Sequence, residues 1–254
     1  MSSDPVDPTA IPLPSGGSTG AGNASSPAQV GAMFDRIAPL YDLMNAVISG
    51  FQEPRWRRRA VALSGVGTGG SAIDVASGTG KVADDLARVT GPAGRVLGVD
   101  ISAGMIGRAR TQFAARPGLT FTIADAMALP AEDASFDAAT IAFGMRNLPD
   151  YGRGFAEMRR VVRPGGTVVC LEIARPDHLL ARISRVWFER IVPVLGRLAG
   201  QGGAYGYLVE SVRNYPDPVR IAAIMEEAGL EGVTWEPLSL GMVTIHVGRR
   251  PLAG

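Results

Sequence analysis

The residues best able to bind a ligand lie in one run, Asp74-Val75-Ala76-Ser77-Gly78-Thr79-Gly80-Lys81, between a segment expected to be a strand and one expected to be a helix. Glycines there let a ligand approach the backbone, and open α/β sheets bind ligands at the carboxyl ends of their strands. A phosphate-cradling loop needs Gly five residues ahead of the Gly-Lys pair, and Ser or Thr after the Lys to hold magnesium. Val75 and Val82 occupy those places, so that reading is set aside. A dinucleotide loop of the form G-x-G-x-x-G/A is formally matched by Gly78, Gly80 and Ala83, with Asp100 following Gly80 by 20 residues for the ribose hydroxyls. On those features a nicotinamide oxidoreductase stays open. Asp74 tilts the balance, because a carboxylate ahead of the glycine turn repels a pyrophosphate and attracts an ammonium or sulfonium group. Asp100 can accept from both ribose hydroxyls, and Asp125, after the next strand, from an adenine amino group. Three acidic strand ends and a glycine turn therefore suit adenosine joined to a cationic amino acid without phosphate, which is S-adenosylmethionine. Any one of these aspartates alone reads equally as a turn or helix cap; all three at successive strand ends favour the ligand.

An alternation of strands and helices must position these residues. Strands are expected at Ala72–Ala76, Arg95–Val99, Leu119–Ile123, Phe136–Phe143 and Thr167–Ile173. Helices are expected at Val82–Val89, Ala103–Ala115 and Gly154–Val162. This order implies a parallel sheet with right-handed crossovers and helices on both faces. Ahead of it, Gln29–Ser49 has helical apolar spacing interrupted at Pro39. Behind it come a long helical pattern at Leu179–Leu198, a helix at Pro218–Ala228, and two strands, Val233–Pro237 and Met242–Gly248, joined by a turn at Ser239-Leu240-Gly241.

Composition bounds the remaining choices. The 254 residues are 46% hydrophobic and 19% charged, enough for a sizeable core. A formal net charge of +1 argues against bulk binding to nucleic acid. One Cys, Cys170, and two His, His178 and His246, leave no basis for a disulfide or a Cys/His metal cluster, so no metal is expected. Residues 1–28 hold 5 Pro, 6 Ser and 4 Gly and no Lys or Arg, which reads as a disordered tail without a targeting signal. Residues 29–254 form the expected single domain. No apolar stretch approaches the roughly 18–20 residues that span a bilayer, so a cytoplasmic protein is expected.

Several ordered motifs resemble the UbiE/MenG family of quinone-ring C-methyltransferases, within the class I S-adenosylmethionine-dependent methyltransferases. Phe34-Asp35-x-Ile37-Ala38-x-x-Tyr41-Asp42-x-Met44-Asn45-x-x-Ile48-Ser49 with Trp56 is similar to the family's N-terminal signature. Phe143-Gly144-Met145-Arg146-Asn147 matches the motif after its fourth strand, and Arg160-Val161-Val162-Arg163-Pro164-Gly165-Gly166 with Leu171-Glu172 its second signature. Tyr205-x-Tyr207-Leu208-x-x-Ser211 and Gly241-Met242-Val243-x-Ile245-His246-x-Gly248 match late segments. Four residues depart from the pattern: Glu53 replaces a usual His, Lys81 a usual Asp, and Ala142 and Ala174 a usual Ser each.

The resemblance implies a Rossmann-like α/β fold with a seven-strand, mostly parallel sheet, an antiparallel edge, helices on both faces and a helical lid near residues 175–215. It implies S-adenosylmethionine as methyl donor, with Asp74, Ala76, Gly78, Thr79, Gly80, Asp100, Ile101, Asp125, Ala126 and Ala142 at its site. With Lys81 in place of Asp, Asp74 or backbone carbonyls are expected to meet the methionine amino group. The implied substrate is a reduced quinone with an isoprenoid tail, demethylmenaquinol first; another phenolic metabolite stays open. Arg146 is too basic for a general base and is expected to stabilise a phenolate or orient water, beside a purely structural salt bridge as the alternative. Asn147 either helps hold the quinol oxygen or caps a turn, and Tyr207 either lines the substrate pocket or packs. His246 has the intrinsic pKa of a base, yet its apolar strand suits a hydrogen-bonded core residue. The arginines of Leu179–Leu198, and Arg55–Arg59, are candidates for peripheral contact with the inner face of the cell membrane. A homodimer is left open, and no nucleic-acid partner is expected.

Overall fold

The computed structural model describes residues 27–38, 41–174, 207 and 210–252. Five parallel strands lead: β1 (Ser71–Val75), β2 (Arg95–Asp100), β3 (Leu119–Ile123), β4 (Phe136–Ala142) and β5 (Val162–Ile173). Then β6 (Glu231–Leu238) and β7 (Val243–Arg249) close the edge, β7 running antiparallel to both β5 and β6. The sheet order is β3-β2-β1-β4-β5-β7-β6. The chain steps from β1 toward β2 and β3 on one side, then returns to β4 beside β1. That reversal opens a crevice outside the carboxyl ends of β1 and β4.

Helices α1 (Pro27–Ile37), α2 (Tyr41–Ile48) and α3 (Glu53–Ser64) precede the sheet; α4 (Lys81–Thr90), α5 (Ala103–Gln112), α6 (Tyr151–Val161) and α7 (Pro218–Glu227) alternate with its strands. Because strand side chains alternate between faces, β1 sends Ile73 and Val75 one way and Ala72 and Asp74 the other. Ile73 and Val75 join Phe155, Met158, Ile221 and Met225 in the core beneath α6 and α7. Ala72 joins Val82, Leu86, Ile106, Ala109 and Phe121 beneath α4 and α5. A smaller cluster packs Trp56 and Ala60 of α3 onto Val169, Leu171, Val243 and Ile245.

Local chemistry sets the element ends. Ser102, Asp150 and Asp217 cap α5, α6 and α7 by accepting from the backbone N–H groups of Met105, Arg153 and Arg220. The Asp150 cap starts α6 at Tyr151, three residues before the periodicity suggests. Helix α5 stops at Gln112 rather than Ala115. Strand β5 begins at Val162 rather than Thr167, because Val162 pairs with Phe136 across an irregularity in the β4 register. The expected tail lies outside the described residues except Pro27 and Ala28, which open α1. The long Leu179–Leu198 pattern also lies outside them, as does most of the expected lid. Within that lid range Tyr207 and residues 210–214 are helical. No helix among the described residues is long and apolar enough to cross a membrane.

Candidate active site

A cavity of about 680 Å³, measured to its open mouth, occupies the crevice between β1 and β4. Its floor is the β1–α4 turn, with Ala76 and Gly78. Asp100 and Ile101 face it from the end of β2, and Ala124, Asp125 and Ala126 from beyond β3. Ala142, Phe143, Gly144 and Asn147 line it from the end of β4, and Val30 and Phe34 of α1 supply an apolar cover. The strand-end turns are held in unusual backbone conformations. Ala76 and Phe143, the residues that follow β1 and β4, have φ of 53° and 57°. Left-handed conformations cost non-glycine residues roughly 1–3 kcal/mol, and such strain concentrates at functional sites. The two turns also touch: a Cβ placed on Gly144 would come within 2.5 Å of the Ala76 Cβ.

Asp100 holds the floor while facing the cavity. It accepts from the Gly78 N–H at 2.8 Å through Oδ2 and from the Ser102 N–H at 2.9 Å through Oδ1. Burial raises its pKa above the usual carboxylate range, against the lowering effect of the backbone N–H groups of Ser102, Gly78 and Ile101. Asp125 accepts from the Met127 N–H at 2.8 Å. Each carboxylate oxygen has a second lone pair, so both groups can also accept from a ligand hydroxyl or amine.

Three residues expected at the ligand turn inward or outward instead. Asp74 is 1% exposed and does not line the cavity. The pleat points it beneath α4, where Oδ1 accepts from the Thr140 hydroxyl at 2.7 Å. Desolvation pushes its pKa up to about 7, against the lowering effect of Thr140 and of the Ala83 N–H. The expected contact of Asp74 with a ligand cation is therefore corrected: it braces the turn from below. Gly80 packs against Phe121, and the Thr79 hydroxyl donates to Asp42 Oδ1 at 2.8 Å. Lys81 Nζ meets the same Asp42 oxygen at 3.0 Å. Asp35 acts similarly at α5, accepting from the Ser102 hydroxyl at 2.5 Å and the Gly104 N–H at 2.8 Å. Asp35 and Asp42 thus pin α1 and α2 to the N-terminal turns of α5 and α4, where the helix dipole favours negative charge.

A second cavity, of about 510 Å³ measured to its open mouth, shares Phe143 with the first. Its apolar wall is Ile48, Trp56, Phe143, Ile173, Met242 and Val243; its polar wall is Asn45, Ser49, Glu53 and Arg146. The Trp56 and Phe143 rings stand 6.1 Å apart, tilted by 55°. Trp56 is fixed through its Nε1, which donates to the Ser239 hydroxyl at 2.9 Å. Arg146 lies in this cavity's wall, not in the first. Its Nη1 donates to Glu172 Oε1 at 2.7 Å and to the Phe143 carbonyl at 2.5 Å. Glu172 also accepts from the backbone N–H groups of Arg146 and Ile173. Arg146 is therefore both half of a buried salt bridge and a wall of the cavity. Asn147 accepts from the Tyr207 hydroxyl at 3.2 Å, so these two expected residues are brought together.

His246 is not. It is fully buried in the middle of β7, paired in register with Cys170 and Trp235, and lines neither cavity. Its Nε2 lies 2.9 Å from the Pro218 carbonyl, and desolvation lowers its pKa to about 4. Of the two readings of His246, the geometry fits the hydrogen-bonded core residue and not the base. The cavity positions missed as sites, including Val30, Phe34, Asn45, Ser49, Glu53, Trp56, Phe143 and Met242, mostly fall inside the sequence motifs, but nothing in their types alone assigns them a wall.

Solved structures agree on the fold. A [4+2]-cyclase, SpnF, superimposes with a TM-score of 0.69 at 18% identity, covering 92% of this chain and 100% of its own. An S-adenosylmethionine-dependent methyltransferase of Thermotoga maritima gives 0.62 at 19% identity, covering 87% of this chain and 99% of its own. At such identities the likeness speaks for architecture alone. Sequence relatives are much nearer. The demethylmenaquinone methyltransferase of Thermus thermophilus is 44% identical over 223 residues, 86% of this chain and 100% of the relative. The ubiquinone/menaquinone biosynthesis C-methyltransferase UbiE of Geobacter sulfurreducens is 41% identical over 224 residues, 87% of this chain and 88% of the relative. The family model of the ubiE/COQ5 methyltransferases matches residues 23–250, a span that holds both cavities and every motif around them; the chain is a methyltransferase and belongs to the ubiE/COQ5 methyltransferase family.

Proposed function

We propose that this enzyme transfers the methyl group of S-adenosylmethionine to a ring carbon of a reduced polyprenyl quinone precursor, demethylmenaquinol first, in menaquinone or ubiquinone biosynthesis. One observation carries the reading: two cavities of complementary chemistry share a single wall residue, Phe143. The first offers what adenosine needs, with Asp100 for the ribose hydroxyls, Asp125 for the adenine amino group, and apolar surface from Val30, Phe34, Met105 and Leu148 for the base. Lys81 is held by Asp42 outside that lining, so it adds no positive charge beside a sulfonium. The second suits a flat aromatic ring set against Trp56 and Phe143, with polar groups for its hydroxyls. Relatives named as demethylmenaquinone and ubiquinone/menaquinone methyltransferases support the same substrate class.

S-adenosylmethionine, when bound, supplies an electrophilic methyl that needs no further activation. The residues of the chain then have two tasks. The strained turns at Ala76 and Phe143 fix the wall between the cavities, and in-line positioning of this kind is worth several kcal/mol. Arg146, held by Glu172 and the Phe143 carbonyl, presents a fixed positive charge where a ring oxygen gains negative charge. Because the substrate tail dissolves in lipid, the protein is expected to meet it at a membrane surface; liposome flotation with and without anionic lipid tests this, and no co-flotation under either condition rejects it.

The deciding experiment counts methyl label from S-adenosylmethionine in the organic extract after incubation with reduced demethylmenaquinone, with a ubiquinone-precursor quinol in parallel. Label in the menaquinol product is expected. No label in either quinol, with S-adenosylhomocysteine still binding, rejects the substrate assignment and keeps the cofactor one.

A further inference from the structure

Among the described residues, the wall of the second cavity holds one side chain with the chemistry of a proton acceptor. Of its polar wall, the Asn45 amide and Ser49 hydroxyl are not bases, and Arg146 is permanently charged. Glu53 remains. We propose that the Glu53 carboxylate is the general base that accepts the ring-hydroxyl proton during methyl transfer, an assignment that rests on the quinol reading above.

A salt bridge holds this carboxylate in place. Arg57, one turn further along α3, donates from Nη1 to Glu53 Oε1 at 2.6 Å. The same guanidinium donates from Nε to Asp85 Oδ2 of α4 at 3.0 Å. One cation therefore serves two carboxylates. The other ionic pair of the cavity behaves differently. Glu172 is 0% exposed and takes three N–H donors, from the Arg146 side chain, the Arg146 backbone and Ile173. It is sealed behind Arg146 and absent from the cavity wall. A phenolic ring in this cavity thus meets a fixed cation at Arg146 and a proton acceptor at Glu53.

The chemistry balances with these groups alone. A π pair of the ring forms the new carbon–carbon bond while the pair of the methyl–sulfur bond stays on sulfur. The hydroxyl O–H bond breaks, its pair forms the ring carbonyl, and its proton goes to Glu53. The hydrogen on the methylated carbon then leaves as a proton to water, its pair restores the aromatic ring, the carbonyl pair returns to the oxygen, and that oxygen takes a proton back from Glu53, which regenerates both the quinol and the carboxylate. A carboxylate is a weak base toward a resting phenol. It is matched here, because the hydroxyl grows more acidic as the ring gives its π pair to the methyl carbon, while the Arg146 cation stabilises the oxygen that the departing proton leaves electron-rich.

Glu53→Gln keeps the size of the side chain and an acceptor for Arg57. It is expected to lower kcat about 100- to 1,000-fold while S-adenosylhomocysteine affinity stays within about twofold. The deficit is expected to shrink across quinols of increasing hydroxyl acidity. Glu53→His and Glu53→Asp, which retain a proton acceptor, are expected to stay within about tenfold of wild type. A second readout needs no turnover. With Arg57, Asp85 and Arg146 unchanged, bound 4-nitrophenol should ionise about one pH unit higher in the wild-type protein than in E53Q, because the Glu53 carboxylate holds the phenol protonated. Near wild-type turnover in E53Q, a deficit constant across the acidity series, or identical ionisation of the bound phenol overturns the assignment. The phenol titration also separates the two failures: a wild-type enzyme inactive on both quinols rejects the substrate reading, whereas unchanged phenol ionisation rejects Glu53.

Discussion

Asp74 and His246 give the fold opposite responses to pH, and replacing one exposes the other. Asp74 has its pKa raised from 3.8 to about 7, chiefly by desolvation. Between those values the unfolded chain has released this proton and the native protein still holds it. Stability from Asp74 is therefore complete below 3.8 and declines as pH rises through about 7, by about 1.4 kcal/mol per pH unit and about 4 kcal/mol in all. His246 has its pKa lowered from 6.5 to about 4 by desolvation. Its contribution is present above 6.5 and is lost as pH falls toward 4, by about 3 kcal/mol in all. From about pH 4 to 6.5 the two slopes cancel. Asp74→Asn removes one of them. The amide oxygen still accepts from Thr140, and the repulsion between an amide N–H and the start of α4 adds a pH-independent cost of about 1–2 kcal/mol. The stability of D74N relative to wild type should then climb by about 4 kcal/mol between pH 4 and pH 8, whatever that fixed cost. Urea unfolding at about pH 4.5, 6 and 8, extrapolated to water, measures it. A difference that stays constant over that range refutes the buried, desolvated carboxylate.

Arg146→Lys keeps a charge beside Glu172 and is expected to lower kcat with S-adenosylhomocysteine affinity unchanged, in a label-transfer assay beside calorimetry; unchanged turnover rejects its role. Arg146→Ala should instead cost about 3–5 kcal/mol of stability in urea, because it strands a buried carboxylate. Gly80 has φ of 86°, and an added Cβ would lie 2.6 Å from the Phe121 ring, so Gly80→Ala should destabilise by about 1–3 kcal/mol; an unaffected urea midpoint contradicts the packing. Phe155→Ala, at a fully buried site on the inner face of α6, should cost about 3–5 kcal/mol by the same measurement.

The sheet was legible because parallel strands buried on both faces read as short apolar runs, and acidic or glycine residues mark their ends. The run expected at Ala72–Ala76 is found one residue earlier, at Ser71–Val75, and the alternating edge strand Leu119–Ile123 where it was expected. Of the residues expected at a site, Ala76, Gly78, Asp100, Ile101, Asp125, Ala126, Ala142 and Asn147 share one cavity at the ends of β1 and β4. What failed was the direction of single side chains. Asp74 stands in the expected turn, but the pleat sends it under α4, a fact decided by register rather than by residue type. His246 shows the converse: the apolar strand around it already favoured a core residue over a base, and its burial agrees. The walls made by α1, α2 and α3 were invisible as walls, because Phe34, Asn45 and Glu53 reach the cavities only after the chain folds back across the sheet.

Lys81 shows how a local departure acquires meaning only from such a distant contact. Taken with the glycine turn, a cation beside a sulfonium site is a contradiction. In the folded protein, Asp42 of α2 takes both the Lys81 ammonium and the Thr79 hydroxyl on one oxygen. The positive charge is thereby drawn to the outer side of the turn, while the inner side is left to Asp100 and Asp125. The same contact ties α2 to α4, and α2 carries Asn45 and Ile48 of the second cavity. A substitution that looks hostile to the cofactor thus becomes part of the joint between the two cavities, and the contacts of Asp42 are what convert one into the other.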